Sequence, residues 1–449
     1  MLIRFAVENF ASFKDMTEFN MMASKIVRHS DHVVSCNGKR VLKSAVLFGP
    51  NASGKSNFVK AIFVASQLVL YGLDRISVFK KYFRLDDACK DKPGVFQFDI
   101  FANGHFYSYG FAISYQSQSI VEEWLYNIDK QDDEKCIFLR SYAYTGISRI
   151  ISDLSFANSK EEMRFQLYKE DFSSSKMEQR FFLNDIAFRA PSDNPSYQAF
   201  TDVFGWFTRL YVLFPNVKYM GIEELLENRD NKTKVENLLS YFDTGIKSLS
   251  RKPVDFDKIA SKLGKSIDRI LSALNGRKSY LCQLDSSLYE FVKEGGQINA
   301  YVIMTNHGNS SDLFEFGDES DGTKRLFSLI PIFRDATKES VIVIDDLDQN
   351  LHTQVTKEFI DRFYEISKGV KSQLIATTHD TNLLDLDFLR QDEIWFINRK
   401  KDCSSELYSL NAFNERFDKK IEKEYLLGRY GAVPHFDYKL LPGDNTEAD

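Results

Sequence analysis

The sequence predicts an α/β protein organised on a parallel sheet. Three stretches carry that prediction: Ala45-Val46-Leu47-Phe48 running into a glycine loop and then a helical pattern, Val341-Ile342-Val343-Ile344 ending in Asp345-Asp346, and Gln373-Leu374-Ile375-Ala376-Thr377-Thr378 ending in His379. Short apolar runs with polar tips read as strands buried on both faces, which is the setting of a parallel sheet covered by helices.

Taken in order, Leu2 to Glu8 alternates, with Ile3, Phe5 and Val7 on one side and Arg4, Ala6 and Glu8 on the other. That is the pattern of a half-buried strand. After Ala45–Phe48 comes GPNASGKSN, Gly49 to Asn57, which fits G-x-x-x-x-G-K-[ST]. Phe58, Val59, Ile62, Phe63, Leu68 and Val69 follow at helical spacing. Strand, glycine loop and helix in that order are the context this phosphate-binding motif requires. Glycine lets the backbone come close, the inward N–H groups of Asn51, Ala52, Ser53, Gly54, Lys55, Ser56 and Asn57 cradle phosphate oxygens, and the helix N-terminus adds its positive end. Lys55 is expected to reach the β- and γ-phosphates of ATP, and Ser56 to offer its hydroxyl to Mg²⁺.

Residues from about 80 to 150 read as strand-rich, with Asn103-Gly104 as a hairpin turn between two aromatic runs. From about 155 to 275 the pattern is mostly helical, as in Glu223 to Leu239 and Phe256 to Leu274, without the sustained heptads of a long coiled-coil arm. Further on, Glu319-Ser320-Asp321-Gly322-Thr323-Lys324-Arg325 precedes apolar Leu326, Phe327, Leu329 and Ile330, so Ser320 or Asp321 is expected to cap a helix that Pro331 shortens or kinks. Carboxylates at the end of the Val341–Ile344 strand sit where open α/β sheets bind ligands. Asp345 is expected to hold the Mg²⁺ water shell. His379, at the tip of the next strand, is placed to hydrogen-bond a γ-phosphate oxygen and sense its presence.

Composition excludes several classes. With 449 residues, 43% of them hydrophobic and 27% charged, the chain has ample material for a packed core and is too long for one small domain. A net charge of −6 argues against indiscriminate nucleic-acid binding. The five cysteines form no C-x-x-C pair, which speaks against a zinc site or a disulfide framework and fits a reducing cytoplasm. Neither a signal peptide nor an apolar stretch of membrane-spanning length is legible. The 39 Phe fit large packed interfaces and nucleotide-composition bias equally well.

In combination these motifs resemble the ABC-type ATPase heads of the SMC, RecF and OLD group. The resemblance is closest to the AbiL/RloC-like bacterial ATPases of antiphage defence, which include the AriA subunit of PARIS. FAVENFASFKD resembles the family's first strand and loop, GPNASGKSN its Walker A, ESDGTKRL its form of the ABC signature, VIVIDDLDQNLH its Walker B and D-loop, ATTHDTNLLD its switch-histidine strand, and YLLGRYGAVP its tail. The fold implied is an ABC-type head with a mixed, mainly parallel core and an antiparallel β lobe, divided by an inserted helical region. Its implied boundaries are 1–154 for the N-terminal part of the head, 155–275 for the insertion and 276–449 for the C-terminal part. Two positions depart from the family: Asp346 stands where a glutamate orients the attacking water, and the Q-loop glutamine has only Gln97 as a weak candidate. One methylene at that acid can slow hydrolysis on the order of 10²-fold.

The resemblance also implies that ATP is sandwiched between protomers. Ser320 and Gly322 of one chain would then contact the γ-phosphate held by Lys55 of another, in a homodimer or a larger ring. The expected activity is ATP hydrolysis, with Lys55, Asp346 and His379 as catalytic residues and Ser56 and Asp345 as Mg²⁺ ligands. The expected role is a cytoplasmic sensor or scaffold in abortive infection. It would hold and release a separate effector such as a nuclease, for instance of Toprim type, in response to a phage-encoded trigger. The stretch after His379 is expected to be too short for a nuclease domain of its own. The alternative is a RecF-like DNA-repair ATPase that binds DNA directly; a transporter subunit fits the ESDGTK form and the tail poorly.

Overall fold

The computed structural model describes residues 1–128, 133–142, 148–173, 177–191, 194–215, 226, 229–264, 267–274, 278–309, 311–413, 415–416 and 420–434. The chain divides into two compact units. One comprises Met1–Val212, Lys338–Leu347 and Ser367–Asp449, and the other Leu213–Thr337 and Asp348–Ile366. The stretch read as a helical insertion, 155–275, is therefore shared between them: 155–212 belong to the first unit and 213–275 to the second. The beginning of its Glu223–Leu239 segment lies largely outside the described residues.

The first unit is built on a six-stranded sheet in the order Leu210–Leu213, Val341–Ile344, Gln373–Thr377, Ser44–Phe48, Ile394–Arg399, Ser405–Ser409. Val341–Ile344, Gln373–Thr377, Ser44–Phe48 and Ile394–Arg399 run parallel, and Ser405–Ser409 closes the edge antiparallel. The Val341–Ile344, Gln373–Thr377 and Ser44–Phe48 strands are buried along their whole length, as apolar runs flanked on both sides by other strands should be. The register pairs Ile344 with Ala376 and Thr377 with Leu47. The loop after Phe48, the acids after Ile344 and the histidine after Thr378 consequently leave the same edge of the sheet.

A seven-stranded antiparallel sheet forms the β lobe of this unit, in the order Ser148–Ile151, Glu134–Tyr142, Ser119–Ile128, His105–Ser114, Gly94–Ala102, Leu2–Glu8, Thr17–Asn20. Asn103 and Gly104 both have positive φ, 47° and 85°, so the expected hairpin turn is present. Leu2–Glu8 is an interior strand, and Leu2 and Ala6 are buried along with Phe5 and Val7, which blurs the alternation read from sequence. Gln373 joins this lobe to the parallel sheet: its amide accepts from Leu2 N at 2.6 Å and donates to Leu2 O and Leu42 O at 2.9 Å each.

Aromatic rings fill the lobe. Phe5 packs on Phe58 and Phe98, Phe98 and Tyr109 on Phe207, and Phe138 on Phe182 and Phe200. The helix Lys55–Tyr71 thereby turns Phe58, Val59 and Ile62 into the same core as the antiparallel lobe. Beneath this core, Glu123 and Arg140 are wholly buried on adjacent strands. Glu123 accepts from the N–H groups of Phe182 and Leu183 and from Tyr109 Oη, and Arg140 donates to Arg180 O and Met177 O. The pair ties the N-terminus of the helix Phe182–Arg189 to the sheet.

The second unit holds an antiparallel sheet, Ser248–Val254, Gln297–Asn306, Ser287–Glu294, Ser279–Leu284, with Phe314–Glu315 paired to Gln297–Asn306. The strand Ser248–Val254 falls inside the segment read as helical. Leu249 is its one buried residue, so no alternation marks it in the sequence. Elsewhere in this sheet Gly295-Gly296, with φ of 58° and 85°, turns the chain between Ser287–Glu294 and Gln297–Asn306. The helix Asp321–Leu329 packs Phe327 into a core with Ile246, Leu249, Ile303 and Phe316. It stops before Ile330, and Pro331 starts a new helix, Pro331–Asp335, because its ring fixes φ but cannot donate to the preceding turn. No helix among the described residues is long and apolar enough to cross a membrane.

Candidate nucleotide site

The loop after Ser44–Phe48 is shaped by close approach. A Cβ on Gly49 would collide with Ile397 O, and one on Gly54 with Ser405 Oγ and, at 2.8 Å, with Ser12 Oγ. Ala52 has φ 62° and Gly54 φ 117°, left-handed backbone at both positions, and Ser53 N donates within the loop to Pro50 O at 3.3 Å. Gly54 caps the helix Lys55–Tyr71 without a side chain, which leaves the first-turn N–H groups available to an anion. Ser53 is buried, and its hydroxyl has no hydrogen-bond partner among the described residues.

Two residues outside the motif brace the loop from behind. Ser405 N donates to Ser12 O at 2.7 Å, Ser405 Oγ lies 2.6 Å from Ser53 O and 2.8 Å from Ser12 Oγ, and Asn57 Nδ2 donates to Ser12 Oγ at 2.9 Å. Ser12 lies in the FAVENFASFKD opening, and Ser405 had no sequence signal, because only the pairing of Ser405–Ser409 with Ile394–Arg399 brings it there. The tail contributes from the far side: Tyr425 and Tyr430 stack on Phe396 at 5.4 and 5.5 Å, and Tyr425 Oη donates to Ala432 O.

Lys55, Asp346 and His379 come together at the sheet edge. Lys55 is buried and its ammonium donates to Gly49 O at 2.7 Å and Pro50 O at 3.2 Å, with His379 Nδ1 at 3.4 Å. The other imidazole nitrogen, Nε2, is 3.6 Å from Asp346 Oδ1. Asp345 is buried and accepts from Thr377 Oγ1 at 2.8 Å. Asn51 and Ala52 are exposed, and Ser56 and Asn57 half-buried. A cation, the first-turn N–H groups of a helix without a side-chain cap, a hydroxyl and two carboxylates are the donor set that a nucleoside triphosphate with a hard divalent cation needs.

Gln97 sits in mid-strand and donates to Asp99 Oδ1 and Ser108 Oγ, both at 3.0 Å, so its amide is occupied within the antiparallel sheet. In the second unit, Ser320 caps the helix Asp321–Leu329 by accepting from Thr323 N at 3.1 Å. A Cβ on Gly322 would lie 2.8 Å from Asn350 O, so glycine is what lets the segment after Asp345-Asp346 lie against this helix's first turn. Glu319, just before it, is held by His307 Nε2 at 2.8 Å.

A glycine-rich loop between a buried parallel strand and a helix, with an acid-tipped strand in the same sheet, is the arrangement of a P-loop nucleotide-binding domain. The chain belongs to the family described as "AAA domain, putative AbiEii toxin, Type IV TA system", whose model matches residues 44–385. Among solved structures, an SMC head bound to the C-winged helix domain of ScpA is 12% identical, with 92% of this chain and 99% of that chain covered and a TM-score of 0.42. The SMC head domain from Thermotoga maritima is also 12% identical, with 91% and 98% covered and a TM-score of 0.33. No curated protein matches the chain.

Proposed function

We propose that this protein binds and hydrolyses ATP as an ABC-type head and acts as a sensor or scaffold in bacterial antiphage defence, holding a separate effector, a nuclease, and releasing it on infection. The observation that carries the ATPase reading is the convergence of Lys55, His379 and Asp346 in one chain of contacts beside Asp345. The defence setting is supported by the family description, which names an AbiEii-type toxin of a toxin–antitoxin system. It is also supported by the resemblance to AbiL/RloC-like ATPases.

In this reading Asn51–Asn57 hold the phosphates, and Ser56 and Asp345 hold Mg²⁺. The bound ion supplies charge neutralisation of the triphosphate. Lys55 binds the β- and γ-phosphates, His379 orients against the γ-phosphate, and Asp346 holds the proton side of the attacking water. Asp346 is short for that work, so Asp346→Glu is expected to raise kcat on the order of 10²-fold. Steady-state phosphate release checks this, and an unchanged or lower kcat contradicts it.

Ser320 and Gly322 are proposed to complete the site of a second copy, giving an ATP-dependent homodimer or a ring of dimers. Mass in solution should rise at micromolar protein when ATP and Mg²⁺ are added; a mass that stays monomeric removes this part of the reading. The cellular role is tested by phage challenge of cells carrying Lys55→Ala in a genomic fragment that includes the genes flanking its own. Protection should be lost, and full protection by that variant would refute the role.

A further inference from the structure

Thr377 is the last residue of the strand Gln373–Thr377, wholly buried between the Walker A and Walker B strands. Three hydrogen bonds run from it to three successive residues of the neighbouring strand's end. Its Oγ1 lies 2.8 Å from Asp345 Oδ1, the same Oγ1 accepts from Asp346 N at 2.8 Å, and its carbonyl accepts from Leu347 N at 2.9 Å. The hydroxyl has one proton, and the Asp346 amide can only donate. The proton therefore points at Asp345, which fixes donor and acceptor at both ends. Asp346 has φ 48°, a left-handed conformation that a non-glycine residue keeps only when its surroundings hold it there.

We infer that Thr377 is the positioning residue of this site: its hydroxyl orients the Asp345 carboxylate toward the metal and, through the Asp346 amide, holds the left-handed turn that aims the Asp346 carboxylate at His379. The inference rests on the ATPase reading and deepens it. It assigns the alignment of both acids to one hydroxyl on a neighbouring strand, and it makes Thr377 distinct from Thr378, whose Oγ1 accepts from Asp380 N at 3.0 Å on the histidine side. Valine in place of Thr377 preserves shape and strand preference but removes the hydroxyl that donates to Asp345 Oδ1 and accepts from Asp346 N. Serine keeps both bonds.

The test compares wild type, Thr377→Val, Thr377→Ala and Thr377→Ser, with Mn²⁺ as the probe metal followed by electron paramagnetic resonance. Removing an outer hydrogen-bond partner of a metal-binding carboxylate typically costs 10- to 100-fold in metal affinity or activity. In the presence of ATP, Thr377→Val should weaken Mn²⁺ binding about 10-fold and lower kcat by about 10-fold or more. Its affinity for ATP in excess chelator should stay at the wild-type value, and Thr377→Ser should keep wild-type metal affinity. Thr377→Ala removes the same hydroxyl and gives the same readout if Thr377→Val fails to fold. Wild-type metal affinity in the valine and alanine variants overturns the inference, as does equal loss in the serine variant. If wild-type protein binds ATP no better than Lys55→Ala, the ATPase reading falls and this inference with it. If wild type binds ATP and Mn²⁺ and the Thr377 variants match it, only this inference falls.

Discussion

Lys55→Ala is expected to lower ATP affinity by roughly 10²-fold or more, since each hydrogen bond to a charged group contributes about 1.5–3 kcal/mol and the lysine reaches two phosphates. Turnover should fall to background, because catalysis of phosphoryl transfer is positioning and charge stabilisation, and both pass through this ammonium. The structure adds a reason why no neighbour substitutes for it. Lys55 is held at the mouth of the loop by Gly49 O and Pro50 O and contacts His379. The side chain points into the site from a helix whose next inward residues, Phe58 and Val59, are apolar core. The fold should survive the change, so the variant isolates nucleotide binding. Titration with ATP against circular dichroism of the same sample checks both halves; wild-type affinity in Lys55→Ala contradicts the assignment.

Glu123→Ala should have the largest effect on stability. Burial pushes the Glu123 carboxyl above its ordinary range, while Arg140 and the Leu183 and Phe182 N–H groups pull it back. Deleting the carboxylate leaves the Arg140 guanidinium buried, and two N–H groups at a helix N-terminus lose their acceptor. Removing one member of a buried pair costs about 3–5 kcal/mol. For a unit of this size that corresponds to a fall of roughly 10 °C in the thermal midpoint. Differential scanning calorimetry reads it, and a shift smaller than about 2 °C contradicts the structural role given to the pair. The replacement lies in the β lobe, so ATP affinity at temperatures where the variant is folded should match the wild type.

The parallel sheet and its loop were legible because each part is local. Strand, glycine loop and helix occupy one continuous stretch, and the acids and the histidine directly follow buried apolar runs. The sheet of the second unit was less legible. Ser279–Leu284 is half-buried along most of its length, and alternation there is between partly exposed residues. Glu123 and Arg140 belong to different strands, so only the cross-strand register reveals that they meet. The same holds for Thr377, whose hydroxyl is one letter in an apolar run until the register sets it beside Asp345 and Asp346. The excess of Phe has a partial answer: Phe5, Phe13, Phe19, Phe48, Phe58 and Phe83 are fully buried, so much of it packs the cores of single chains rather than covering interfaces.

The central claim is that one ATP with Mg²⁺ binds per chain at the loop Gly49–Asn57. Calorimetric titration of the wild-type protein with ATP and Mg²⁺, beside Lys55→Ala, tests it most directly. The expected result is saturable binding at one site per chain in wild type and no saturable binding in the variant over the same concentrations. Equal binding in both proteins, or none in the wild type, contradicts it.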